Sequence, residues 1–326
     1  MTKDAVLKLL RQNSDTYISG AAIGRQLSVS RTAVWKAMEQ LKREGYEIKS
    51  VPNRGYRLSS GSDVLSEEGI MRYLKDPRVQ IRCFQTISST NTVLKTMASE
   101  GAPGGLALIA GQQTNGRGRM GRSFYSPSDT GLYLSLLLRP ELVASDVTGI
   151  TACAAVAVAL EIEELSGQKA SIKWVNDVFV GGKKVCGILT EASIDCETGL
   201  IHYLVIGIGI NTAVPEGDFP EDLQGIAGAA FREKIPDLRC RLAAGVLDRL
   251  MMYAQDLTDD QIYEEYKKRS LVLGMPINIL SAGKEPEPAV VLDLDRDYAL
   301  VVQCEDGSVR RLNSGEVSVR IMEEKR

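Results

Sequence analysis

The chain has 326 residues, 44% hydrophobic and 25% charged, enough for two or three domains with cores of their own. No apolar run reaches about 18 residues, and the N-terminus lacks the apolar stretch and cleavage site of a signal peptide, so neither a membrane span nor export is expected. The net charge of −3 is uneven: residues 1–60 hold eleven Lys and Arg against five Asp and Glu, so nucleic acid is expected to meet only this N-terminal module.

Residues 1–60 read as a winged helix-turn-helix. Ala5, Val6, Leu9 and Leu10 give a first helix one apolar face. Ser19 can cap a second helix that holds Ile23 and Leu27. After a Ser-Val-Ser turn, Ser30 caps a third helix, expected from Arg31 to Glu44 with Gly45 at its C′ position. Val34, Met38 and Leu41 share its inner face; Arg31, Thr32, Trp35 and Lys36 lie near its outer N-terminal face, where a recognition helix presents side chains to the major groove. Tyr46–Val51 and Tyr56–Leu58 form a hairpin, the wing, with Arg54 at its tip. A protein-interaction module can share this outline; the order of elements and the positive excess favour DNA.

Ser59-Ser60-Gly61-Ser62-Asp63 reads as a linker. A helix from Ser66 to Leu74 and a strand from Val79 to Phe84 follow. Ile87-Ser88-Ser89-Thr90-Asn91-Thr92 leads into another helix; its hydroxyls either cap that helix or hold a small polar head group. Buried strands are expected at Leu106–Ala110 and Leu132–Leu138. Between them lies Gln112–Arg122, in which Gly116, Gly118 and Gly121 alternate with Arg117, Arg119 and Arg122. Glycine allows close backbone approach and arginine offers a permanently charged donor fork. The pair suits a mobile cationic loop closing over an anion. Gly-Arg repeats of RNA-binding tails sit in low-complexity sequence instead.

An alanine-rich helix is expected at Thr148–Leu165, and a buried strand at Ile172–Val178 that carries Lys173, Asn176 and Asp177, unless Asn176-Asp177 sits in a turn. Gly181 to Lys184 marks a hairpin tip before a strand at Val185–Ala192. Another strand, His202–Gly209, ends in Gly-Ile-Gly-Ile-Asn; its late glycines let a flat ligand or another backbone lie close. Residues 238–268 are helical, and the chain from Gly274 is β-rich, with a turn at Asp306-Gly307, enough for a small SH3-like barrel. Cys83, Cys153, Cys186, Cys196, Cys240 and Cys304 include no Cys-x-x-Cys pair and read as free cytoplasmic thiols. A single histidine, His202, argues against zinc and against a Ser-His-Asp triad, so no metal-ligand set is assigned.

A helix-turn-helix, Ser-Thr-Asn, Gln-Thr-x-Gly-Arg-Gly-Arg-x-Gly-Arg, Lys-Trp-x-Asn-Asp, Lys-x-x-Gly-Ile-Leu-x-Glu and Gly-x-Gly-x-Asn follow one another over nearly the whole chain. In this order they resemble the biotin–protein ligases, in the bifunctional form that also represses biotin synthesis. The resemblance implies an α+β fold: a winged helix-turn-helix over 1–62, a mixed-sheet, class II synthetase-like ligase domain over 63–270, and an SH3-like barrel over 271–326. It implies a biotin–[acetyl-CoA-carboxylase] ligase using biotin and ATP with Mg²⁺. Its partners would be a biotin carboxyl carrier domain, operator DNA and a second copy of the chain, paired when biotinyl-5′-AMP is bound.

Carried over by position, Ser89, Thr90 and Gln113 would hold the ureido head of biotin, Asn91 would also bind biotin, and Gly207 and Gly209 would floor its pocket. Arg117, Gly118 and Arg119 would close over biotin and the phosphate. Lys184 would meet the biotin carboxylate and the α-phosphate. Arg119, Arg122, Phe124 and Asn211 would serve the nucleotide, Asn176 and Asp177 would serve nucleotide, metal or carboxylate placement, and Asp177 is also a candidate to orient or deprotonate the incoming lysine. Val175 stands where the family often has proline, and Phe124 where some members have tryptophan; a phenyl ring still stacks. The chemistry brings a carboxylate onto the α-phosphorus, anion against anion, so cations must neutralise the pair. A lipoate–protein ligase should instead show Arg-Arg-x-x-Gly-Gly-Gly and a histidine–aspartate pair, neither of which is present. The remaining alternative is a non-catalytic biotin-sensing repressor.

Overall fold

The computed structural model describes residues 2–13, 16–43, 45–59, 63–195, 197–257, 259–281, 285–313 and 317–321. The expected linker residues Ser60, Gly61 and Ser62, the expected helix end Glu44, and Cys196 lie outside them. The chain forms two compact units: Met1–Ile70 with Glu233–Arg241, and Met71–Arg232 with Leu242–Arg326.

The first unit contains α1 (Thr2–Gln12), α2 (Gly20–Leu27), α3 (Arg31–Arg43), the hairpin β1 (Ile48–Val51) and β2 (Gly55–Leu58), and α4 (Glu67–Met71), whose last residue falls in the second unit. The helical spacing of Val6, Leu9, Leu10, Ile23, Val34, Met38 and Leu41 puts them in one buried cluster with Leu58 of the wing. Ser19 and Ser30 each accept a backbone N–H at 3.1 Å, from Ala22 and Ala33, capping α2 and α3 as expected. Past α3, Gly45 takes φ +95° and Tyr46 N–H donates back to Leu41 O at 3.0 Å. Gly55 has φ +103°, and a Cβ there would lie 2.1 Å from Ile18 O, so only glycine lets the wing pair close against the α1–α2 connection. The expected Ser66–Leu74 helix is only α4, with Ser66 Oγ accepting from Gly69 N–H. Glu233–Arg241 also joins this unit: Arg239 Nε donates to Asp63 Oδ2 at 2.9 Å, and Arg11 pairs with Asp237 at 3.3 Å.

In the second unit, β3 (Gln80–Ile87), α5 (Thr90–Ser99), β4 (Leu106–Gln113), β5 (Gly131–Leu138), α6 (Val147–Ser166), β6 (Ala170–Lys173), β7 (Asp177–Val180), β8 (Lys183–Ile194) and β9 (Ile201–Asn211) build a seven-stranded mixed sheet ordered β3-β4-β5-β9-β8-β7-β6. Only β3 and β4 are parallel, with α5 as the crossover such a pair needs. Strands β4, β5 and β9 are buried along most of their length, as expected of apolar runs in central strands. α5 packs on β4, β5 and β9, and α6 on β6, β7 and β8. The stretch Ala144–Ser166 is, by length and composition alone, long and apolar enough to cross a membrane, a test that a buried core helix also passes. Its apolar window is 67% buried within the protein, and α6 packs on the sheet through it.

The single strand expected at Ile172–Val178 is two strands, β6 and β7, folded back with Lys173 opposite Asp177. The turn between them is apolar: Trp174 and Val175 are buried, Trp174 Nε1 donates to Tyr298 O at 2.8 Å and Tyr266 Oη donates to Val175 O at 3.3 Å. Asn176 completes this turn and Asp177 opens β7, so the alternative that placed a turn here holds for Asn176. Helices α7 (Leu238–Tyr253) and α8 (Asp260–Arg269) precede β10 (Pro276–Ser281), β11 (Glu287–Leu294), β12 (Leu300–Cys304), β13 (Val309–Leu312) and β14 (Val317–Ile321), the last not anticipated. In place of a closed barrel, these five strands form an open antiparallel sheet ordered β13-β12-β11-β10-β14, with β13 and β14 as unjoined edges among the described residues.

Candidate active site

The Gly-Arg stretch leaves the end of β4 and turns back on itself. Gly118 N–H donates to Arg122 O at 2.7 Å and Phe124 N–H to Gly116 O at 2.9 Å. Met120, at φ +55°, stands at the turn. The arginines thereby reach one cleft from one side, while the ends of β7, β8 and β9 and the start of α5 supply the other. Arg117, Arg119, Arg122 and Lys184 line it against a single carboxylate, Asp177. Such a cation excess suits a ligand with more than one negative charge. Ser89, Thr90, Asn91, Gln113, Gly118, Phe124, Asn176, Gly207 and Gly209 line the same cleft.

Residues up to 65 positions apart in sequence join at the cationic end. Arg119 Nη1 donates to Asn176 Oδ1 at 2.9 Å, Asn176 Nδ2 donates to Asp177 Oδ1 at 2.9 Å, and Lys184 Nζ lies 2.7 Å from Asp177 Oδ1. This places both basic groups in register through one amide. Burial draws the Arg119 guanidinium below its ordinary value, and the charge of Asp177 opposes that.

At the other end Ser89 is both cap and lining: its Oγ accepts from Thr92 N–H at the start of α5. Thr90 N–H donates to Gln113 Oε1 at 2.9 Å, and Gln113 Nε2 donates to Ser126 Oγ at 3.1 Å. Asn91 is buried; both its N–H bonds are used within the protein, toward Leu189 O at 3.1 Å and Glu191 Oε2 at 3.0 Å. The glycines have a concrete purpose. A Cβ on Gly207 would lie 2.0 Å from Asn91 Oδ1, and one on Gly209 would lie 2.5 Å from the Phe124 ring. The space they leave is taken by these two side chains, and the Phe124 ring meets Tyr133 edge-on at 6.4 Å.

Asn211 is apart from this group. It closes β9 opposite Gly131, its carbonyl accepts from Ala230 N–H at 2.8 Å, and it is not among the cleft-lining residues. In the first unit, Arg31, Thr32, Trp35 and Lys36 are all exposed on one side of α3, Trp35 by 55%, while Val34, Ala37, Met38 and Leu41 face the core. Arg54 is exposed at the wing tip, its guanidinium 5.2 Å over the Tyr17 ring.

Sequence reading did not single out Ser135, Ser126, Lys95 or Glu191 as site residues. Ser135 is fully buried on β5 and sits 2.7 Å from Thr90 Oγ1 and 2.6 Å from Asn91 Oδ1. Its signal was a lone hydroxyl inside Leu132–Leu138, since a buried polar group needs a partner. Lys95 Nζ lies 2.6 Å from Glu191 Oε1, and Arg117 Nη1 is 3.9 Å from the same oxygen. Burial pushes the Glu191 carboxyl up, but hydrogen bonds from Lys95 and Asn91 and the charges of Lys95 and Arg117 bring it below the ordinary glutamate range.

Residues 83–211 match the biotin/lipoate A/B protein ligase family, and residues 2–57 match an HTH domain. The chain is 38% identical over 252 residues to the bifunctional ligase/repressor BirA of Bacillus subtilis (strain 168), covering 76% of this chain and 75% of the relative. It is 29% identical over 309 residues to the bifunctional ligase/repressor BirA of Escherichia coli (strain K12), covering 94% of each. Among solved structures, the biotin protein ligase from Aquifex aeolicus in complex with biotin and ATP superposes with a TM-score of 0.61 at 27% identity, covering 74% of this chain and 99% of that one. With a cation-lined cleft on a mixed sheet and a helix-turn-helix ahead of it, this chain belongs to the biotin/lipoate A/B protein ligase family as a bifunctional ligase/repressor.

Proposed function

We propose that this protein is an ATP-dependent biotin–[acetyl-CoA-carboxylase] ligase that also represses transcription in response to biotin. The carrying observation is the convergence of Lys184, Arg117, Arg119 and Arg122 on one cleft whose far end is built of buried hydroxyls and amides. Biotin lies with its ureido head toward Ser89, Thr90 and Gln113 and its carboxylate toward Lys184. The carboxylate attacks the α-phosphorus of ATP, pyrophosphate leaves, and biotinyl-5′-AMP remains. Lys184 and the arginines neutralise two approaching anions. The Gly-Arg turn covers the mixed anhydride and excludes water. A lysine amine of a biotin carboxyl carrier domain then attacks the acyl carbon and AMP leaves. Phe124 offers a face to adenine, and Arg122 and Asn176 serve the nucleotide.

The site fits Mg²⁺ as an ion held mainly by substrate phosphates: Asp177 and Asn176 offer oxygens, and no cluster of three or more His, Cys, Asp or Glu is present among the described residues. When bound, the ion supplies charge neutralisation at the phosphates. Asp177 would hold it, and Lys184 would turn from Asp177 to the substrate carboxylate.

The division of labour follows 1–62 for DNA, 63–270 for ligation and 271–326 as an SH3-like closing module, with a class II synthetase-like centre. Arg31, Thr32, Trp35 and Lys36 enter the operator groove and Arg54 meets a phosphate. Ordering the Gly-Arg turn over the adenylate lowers the entropic cost of pairing two copies, so biotinyl-5′-AMP promotes a homodimer that binds two half-sites. Incubation with ATP, Mg²⁺, [¹⁴C]biotin and a carrier domain tests the ligase reading. A labelled carrier lysine is expected; lipoate transfer without biotin transfer would refute it, and binding of biotin without turnover would leave only a sensor.

A further inference from the structure

Behind the head-group end of the cleft runs a hydrogen-bond chain that ends on a charge. Glu191 on β8 holds Asn91 Nδ2 at 3.0 Å, Asn91 Oδ1 lies 2.6 Å from Ser135 Oγ, and Ser135 Oγ lies 2.7 Å from Thr90 Oγ1. Each hydroxyl has one proton, so the direction of the chain is decided at its end. An ionised carboxylate only accepts. It and Leu189 O therefore both demand N–H from Asn91; a flipped amide would put oxygen against a carbonyl and a carboxylate. With Nδ2 so committed, Oδ1 faces Ser135, and the Ser135 proton goes to Asn91. The 2.7 Å contact then requires Thr90 to donate to Ser135. Gln113 Oε1 already accepts Thr90 N–H at 2.9 Å, closer than the Thr90 hydroxyl at 3.2 Å. Thr90 Oγ1 is left with lone pairs and no proton for the cleft.

Resting on the ligase reading above, we propose that Glu191, acting with Leu189 O on Asn91, is a positioning and specificity-determining residue that holds the hydrogen-bond polarity of the head-group pocket, so that Thr90 accepts an N–H from a cyclic urea. A dithiolane or plain alkyl head has no such donor and leaves the Thr90 oxygen unpaired, which a buried site penalises. Lys95 Nζ at 2.6 Å and Arg117 Nη1 at 3.9 Å face the other oxygen of this carboxylate, Oε1, and leave Oε2 to Asn91.

Glu191→Gln removes the charge and lets the amide at 191 present either atom. Steady-state kinetics on the full chain, with wild type in parallel, should show KM for biotin and for desthiobiotin, which keeps the urea, rising together by about ten-fold, as for loss of a charge-assisted hydrogen bond. KM for ATP should stay within about two-fold. Ser135→Ala, which cuts the chain at its middle, should reproduce this selective loss. Lys95→Met keeps the carboxylate and should change biotin KM little, while Lys95→Met/Glu191→Gln should stay as defective as Glu191→Gln. Recovery in the double variant would mean that an unpaired lysine, not polarity, caused the defect, and would overturn the proposal. So would unchanged biotin KM in Glu191→Gln, or equal losses toward biotin and ATP. A wild type that turns over biotin while the variants match it overturns this inference alone; a wild type inert toward biotin overturns the ligase reading with it.

Discussion

Replacing Lys184 by alanine should separate the two half-reactions. Its ammonium lies 2.7 Å from Asp177 and its side chain is 32% exposed. Two unit charges about 4 Å apart interact by about 4 kcal/mol at the effective dielectric of a protein surface. Partial solvent exposure screens this, leaving roughly 2–3 kcal/mol of stabilisation where the carboxylate meets the α-phosphate. Loss of that amount slows adenylation by about 10²-fold. The figure is a lower bound, because Lys184→Ala also leaves Asp177 without its ion partner near two incoming anions. Transfer from preformed biotinyl-5′-AMP brings a neutral amine to an acyl carbon, so it should slow far less. Lys184→Arg keeps charge but changes its shape, and should fall between. Rapid-quench single turnover at saturating biotin and ATP measures the first step; chemically made adenylate with carrier domain measures the second. Adenylation within about three-fold of wild type, or equal slowing of both steps, would refute the role given to Lys184.

Arg119→Gly removes the contact to Asn176 and loosens the turn; adenylate should escape faster in a stopped-flow chase and label bystander lysines, whereas retention equal to wild type would remove Arg119 from the lid. Gly207→Ala places a Cβ 2.0 Å from Asn91 Oδ1 and must displace that amide, so biotin KM should rise by on the order of ten-fold or more with ATP KM unchanged, as isothermal titration can check independently. The Glu191 carboxyl, held low by Lys95 and Arg117, contributes stability that is present above its unfolded pKa and lost as pH falls through its lower folded value. Urea midpoints of wild type and Glu191→Gln should therefore converge in acid, and a gap independent of pH would contradict this. Operator affinity should increase with biotin plus ATP in parallel with a sedimentation shift to dimer, and deletion of residues 1–62 should abolish DNA binding while sparing much of the ligation. A ligand-independent affinity with an unchanged monomer fraction would leave no biotin-responsive repression.

Local sequence determined the elements whose stabilising partners lie nearby. The caps Ser19 and Ser30 and the 3.6-residue spacing of Val34, Met38 and Leu41 are satisfied within one or two turns, so α2 and α3 were legible. The Gly-Arg stretch was legible as a loop outside the core, where it lines the cleft, because no core can hold so many guanidiniums. What depends on distant contacts was not. Trp174 and Val175 fill a turn that reads as strand, because Tyr298 and Tyr266 cover it from far along the chain. Glu233–Arg241 belongs with the first unit because Asp63 and Arg11 meet Arg239 and Asp237. The glycines of β9 were legible as places of close approach, but only tertiary structure decided that Asn91 and Phe124 make that approach. The direction of the Glu191–Asn91–Ser135–Thr90 chain likewise depends on four side chains from three elements, whose order in sequence says nothing of which proton points where.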